Sequence, residues 1–201
     1  MKKNNRMRLG ISFFGAVIIV SLFLTHSYLS LAAILAAAIH ELAHILTARA
    51  LGVKLSYLRL DIFGAAIGIS GEISSYRKEA AIALAGPLVN LISTLLLFPH
   101  LRASQEFLSL FVSASLFLGI LNLLPIKEFD GGRVLFCTLA SLFSLRNAQR
   151  ILCTLSFICI FALWTLSVYL LLRLGASLSL FVFSCALFCK TFLGEEKSTQ
   201  G

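Results

Sequence analysis

The chain has 201 residues, 59% of them hydrophobic and only 13% charged, with a mean hydropathy of +0.95 and a formal charge of +8. A soluble domain of this length needs far more polar residues to cover its surface, so the composition excludes one and requires an integral membrane protein. The 17 Lys and Arg stand singly or in pairs beside apolar runs, which argues for the lipid bilayer as a partner and against nucleic acid.

Apolar runs long enough to span, about 20 residues each, lie near 9–27, 30–52, 79–98, 106–124, 150–173 and 175–193. The first has no small-residue cleavage site after it and reads as a retained signal anchor. Between the second and third runs, "KLSYLRLDIFGAAIGISGEISSYRK" alternates apolar with polar residues and carries several glycines, the pattern of a short β-hairpin or sheet. Its edge could hold a substrate strand by β-addition. After the fourth run comes "NLLPIKEFDGGR", Asn122 to Arg133, where Pro125 and the Gly131-Gly132 pair should unwind a helix that resumes near Val134. The expected fold is therefore an all-α membrane protein of six transmembrane helices, with a β-hairpin or sheet between the second and third and a broken fourth helix. It is one polytopic domain, 1–201, closed by a helix pair at 150–193 and a polar tail at 194–201.

All the Lys and Arg except Arg102 and Arg173 fall on one side if the N-terminus is cytoplasmic. Basic residues stay inside, so a cell-membrane protein with both termini in the cytoplasm is expected. Cys137, Cys153, Cys159, Cys185 and Cys189 all lie in apolar runs without a CxxC pair, and read as small helix-packing residues.

The second run contains "HELAH" at 40–44. Ionisable groups at bilayer depth are functional by default, and residues four apart share a helix face. His40 and His44 can thus aim both imidazoles at one metal, with Glu41 beside them, the arrangement of a zinc hydrolase. Catalytic zinc takes a third protein ligand and leaves a position open. The chain has only two aspartates, seven glutamates and two further histidines. Asp130 is the choice among them, because a proline-broken segment and two glycines free its carboxylate from a helix register. That choice demands that the segment fold back to the depth of the histidines. His26 and His100 read as interfacial, and Arg49 as snorkelling to the cytoplasmic interface. Gly86, Pro87 and Asn90 read as close helix packing and a kink rather than as chemistry.

"HELAH" at 40–44, "AGPLVN" at 85–90 and "NLLPIKEFDGGR" at 122–133 together resemble the three signature segments of the site-2 protease family of intramembrane zinc metalloproteases. The resemblance covers about residues 30–145, a catalytic core, and looks most similar to the stage IV sporulation protease branch, without its CBS domain. It implies Zn2+ held by His40, His44 and Asp130, Glu41 as catalytic acid/base, and Asn122 near the substrate or the oxyanion. It also implies regulated intramembrane proteolysis. The substrate would be a membrane-tethered protein such as a sigma-factor precursor, released to the cytoplasm, with a membrane regulatory protein as a further partner. The sequence departs from the family at Phe129, where Leu is usual, and at Lys127-Glu128, where the stretch is normally more apolar. The alternative is a non-proteolytic zinc transporter or scaffold, against which Glu41 argues, since a pure metal site needs no base there.

Overall fold

The computed structural model describes residues 8–11, 27–53, 55–61, 64–69, 75–102, 105–175 and 178–193. The chain divides into two compact units, Met1–Leu123 and Leu124–Gly201.

The first unit holds a small sheet and three long helices. Strand β1 (Arg8–Ile11) pairs parallel with β2 (Leu55–Asp61), which pairs antiparallel with β3 (Gly64–Ile69), in the order β1-β2-β3. Helix α1 (Tyr28–Ala50) starts where the Ser27 hydroxyl accepts the Ser30 N–H at 3.2 Å. It stops at Gly52, whose φ of +69° lets Gly52 N–H reach Arg49 O and Val53 N–H reach Ala48 O, closing the last turn. Lys78 Nζ adds a bond to Leu51 O at 3.2 Å, a cation on the negative end of the α1 dipole.

The buried face of α1 steps by fours through Ala32, Ala36, His40, His44 and Ala48. That stripe is small everywhere except at the two imidazoles. Helix α2 (Tyr76–Leu97) buries Ile82, Gly86, Asn90 and Thr94 with the same period, and α3 (Glu106–Leu123) buries Phe111, Ser115 and Gly119. Each of the three packs on the other two. Small residues allow the close approach, as is usual between helices in lipid. A Cβ on Gly119, for example, would lie 3.1 Å from the Leu91 side chain and 3.3 Å from Pro87 O. Leu31, Leu35, Leu42, Leu46, Leu95 and Leu96 cover the outward faces, where a bilayer takes the place of a core.

The second unit contains α4 (Asp130–Leu142), α5 (Leu145–Leu174) and α6 (Ser179–Phe188), the last running into a π-helical turn, Cys189–Leu193. The segment before α4 is pinned to α5. Ser156, fully buried, accepts the Lys127 N–H at 2.9 Å and donates to Pro125 O at 3.4 Å. Ile126 is fully buried, and Gly132 turns against its carbonyl so tightly that a Cβ would collide with the backbone.

The expected class, all-α with six membrane helices, is corrected. Among the described residues four helices are long and apolar enough to cross a membrane: Tyr28–Ala50, Tyr76–His100, Glu106–Leu123 and Leu145–Arg173. The run at 9–27 opens with strand β1, and its remainder to residue 26 lies outside the described residues. The run at 175–193 yields only the shorter apolar helix Ser179–Leu193. Nor is the fourth helix broken within itself. Helix α3 runs unbroken to Leu123 and ends before Pro125, and the 13-residue α4 is a separate element starting at Asp130. Hydropathy registers an apolar run without registering where its backbone turns, which is why the run at 175–193 reads as a full span. The tail at 194–201 also lies outside the described residues.

Candidate metal centre

His40 and His44 occupy successive turns of the buried α1 stripe, 4% and 5% exposed, with ring centroids 4.8 Å apart and planes at 81°. At 1.5 Å per residue they lie roughly 9–15 Å from the end of α1. Glu41 follows His40 and is half-buried.

Helix α2 supplies the opposite wall. A Cβ on Gly86 would come within 2.6 Å of His40 Nε2 and closer still to His44 Nε2. Both Nε2 atoms therefore point at the same glycine, and no larger residue leaves them room. One turn earlier, His44 Nδ1 donates to Ile82 O at 2.7 Å. A carbonyl can only accept, so that bond fixes the proton on Nδ1 and makes Nε2 the acceptor nitrogen, the usual arrangement of a metal-ligating histidine. Pro87 withholds an N–H from its own helix at this level. One turn later Asn90, fully buried, places its amide 3.3 Å from His40 Nδ1.

Asp130 is the first residue of α4, half-buried, where a carboxylate favours the helix dipole. Two imidazoles on one helix face, with the carboxylate expected from the sequence, are a donor set suited to zinc. Asn122 is turned differently: its Nδ2 donates to Leu118 O at 3.0 Å, back onto its own helix. His100 sits exposed in the 3-10 turn Phe98–His100, and His26 lies outside the described residues.

Gly86 and Asn90, read from the sequence as packing residues, face the histidines directly. Their spacing of four on one helix, repeating that of His40 and His44, was the available signal.

Comparison with known proteins bears on the family and on the fold. The sequence model of peptidase family M50 matches residues 28–106 and 100–166. A protein of Synechocystis sp., provisionally named zinc metalloprotease sll0528, is 33% identical over 102 residues, 48% of this chain and 27% of its own length. One of Mycobacterium tuberculosis, provisionally named zinc metalloprotease Rip3, is 32% identical over 104 residues, 47% of this chain and 26% of its own. The chain thus spans about a quarter of the length of these relatives. Among solved structures, the site-2 protease from Methanocaldococcus jannaschii shares the fold, with a TM-score of 0.65 and 21% identity, covering 100% of this chain and 94% of that one.

Proposed function

The chain belongs to peptidase family M50, and on that premise we propose that it is an intramembrane zinc metalloprotease. His40, His44 and Asp130 would hold the ion, Glu41 would be the catalytic acid/base, and Asn122 would contact the substrate. The observation that carries this reading is the convergence of the two buried imidazoles on Gly86, within the first unit.

Zinc bound there supplies Lewis acidity, polarising a scissile carbonyl and making water a nucleophile near neutral pH. The protein's own groups do the rest. Glu41 adjoins the ligand His40 on α1, takes a proton from the attacking water and returns it to the leaving amine. The Ile82 carbonyl holds His44 in one tautomer, so the ligand lone pair is set before any substrate arrives. Asn122, near the end of α3, can exchange its intrahelical bond to Leu118 O for one to a substrate amide.

The substrate on this reading is a membrane-tethered protein, such as a sigma-factor precursor, cut in or near its transmembrane segment and released to the cytoplasm. The Lys/Arg distribution supports that direction, since it puts both termini and most basic residues on the cytoplasmic side.

Glu41→Gln is the decisive test. The full chain should keep its zinc stoichiometry while cleavage of a co-expressed membrane-tethered precursor falls by about 10²–10⁴-fold, the usual effect of losing a general base. Unchanged cleavage sinks the protease; a zinc-dependent function that survives in this variant points instead to a transporter or scaffold.

A further inference from the structure

Neither histidine can ligate a metal through Nε2 unless its Nδ1 carries the proton. For His44 the acceptor is a backbone carbonyl, which fixes the matter. At His40 the neighbour of Nδ1 is the Asn90 side-chain amide, with Nδ2 placed at 3.3 Å and Oδ1 buried without a hydrogen-bond partner among the described residues.

That orientation is the wrong one for a metal site. An amide N–H donating to Nδ1 makes Nδ1 the acceptor and puts the ring proton on Nε2, the atom that faces Gly86 beside His44 Nε2. Turning the amide by 180° exchanges two atoms of nearly equal size and leaves the packing unchanged. Oδ1 then occupies the place next to Nδ1, gains the partner it lacks, and accepts the Nδ1–H.

From this geometry we infer that Asn90 is a positioning residue, whose amide oxygen accepts the His40 Nδ1–H and so holds the His40 Nε2 lone pair toward the metal. The inference rests on the metal site proposed above and extends it to a residue outside the ligand set. The two histidines are then oriented by different devices on the same α2 face, a main-chain carbonyl at Ile82 and a side-chain carbonyl at Asn90, two turns apart. Only the second can be removed by substitution.

The test compares Asn90→Asp, which keeps an acceptor of the same shape, with Asn90→Leu, which removes it. Zinc affinity of the purified full chain, measured by chelator competition, should fall by about 10–100-fold in the leucine variant, the usual effect of losing an outer-shell partner of a ligand, and stay within about threefold in the aspartate variant. The wild-type protein also gives a direct readout. With ring-15N histidine in metal-free proteoliposomes, the His40 resonance, assigned through His40→Gln, should report the tautomer with the proton on Nδ1. Wild-type affinity in the leucine variant, equal loss in both variants with helical content intact, or a His40 proton on Nε2 would each overturn the inference. Should the leucine variant not fold, the tautomer and the aspartate variant decide. A wild-type chain that binds no zinc, or one whose affinity survives His40→Ala, would instead overturn the metal site itself.

Discussion

Gly86 concentrates the demands of the candidate centre in one missing methyl group. A Cβ there would stand within 2.6 Å of His40 Nε2 and nearer to His44 Nε2, so in Gly86→Ala the imidazoles must swing away from the point on which they converge. Elsewhere in the helix alanine is the better residue. The expected outcome is therefore a dissociation of effects: thermal stability in detergent held or slightly raised, zinc affinity down by at least about tenfold, as when a ligand's support is lost. An equal loss of both would show that the glycine serves packing alone. "HELAH" was legible at once, because its period of four needs only one helix to be meaningful. Gly86 and Asn90 repeat that spacing, but the repeat gains its meaning only from the identity of the side chains on the facing helix, which their own helix does not reveal.

The segment Leu124–Phe129 poses the same problem for an element. Its break was readable from Pro125 and the glycines, but its shape depends on contacts from α5 and α6 that no local pattern announces. Ser156 bridges Pro125 O and Lys127 N–H, and Lys190 pairs with Glu128 at 2.9 Å. The Glu128 charge, in a step that departs from a normally apolar stretch, thus finds its partner within the second unit. Ser156→Ala takes the acceptor from a half-buried N–H, at a cost of about 1 kcal/mol. Gly132→Ala forces a methyl into the Ile126 carbonyl and costs about the same or more through overpacking. Both should appear as reduced stability in denaturant titrations of the detergent-solubilised chain. Because Asp130 opens the helix that this segment leads into, zinc affinity should fall in both variants too, and more in Gly132→Ala. Intact stability in Gly132→Ala would mean that the turn is looser than the Cβ collision requires.

For the whole molecule, hydropathy and charge carried different parts of the architecture. The apolar runs at 30–52, 79–98, 106–124 and 150–173 coincide with the four membrane-length helices, while those at 9–27 and 175–193 were counted as spans on composition alone. Charge reads a different property, because it asks on which side each connection lies. Arg49, Arg77 and Lys78 flank the connection between α1 and α2, whereas Arg102 stands alone between α2 and α3. With basic residues retained inside, the α1–α2 connection would be cytoplasmic and the α2–α3 connection external. In a background with the five native cysteines replaced, Gln105→Cys should then react with a membrane-impermeant maleimide on intact cells, and Arg77→Cys only after permeabilisation. The site's chemistry depends on the result. His44 lies six residues from the end of α1 but sixteen from its start, so the histidines sit nearer the α1–α2 connection. If that connection is cytoplasmic, water and the released product share the shorter route to the cytoplasm. The reverse labelling pattern would turn the site toward the outside and remove the case for cytoplasmic release.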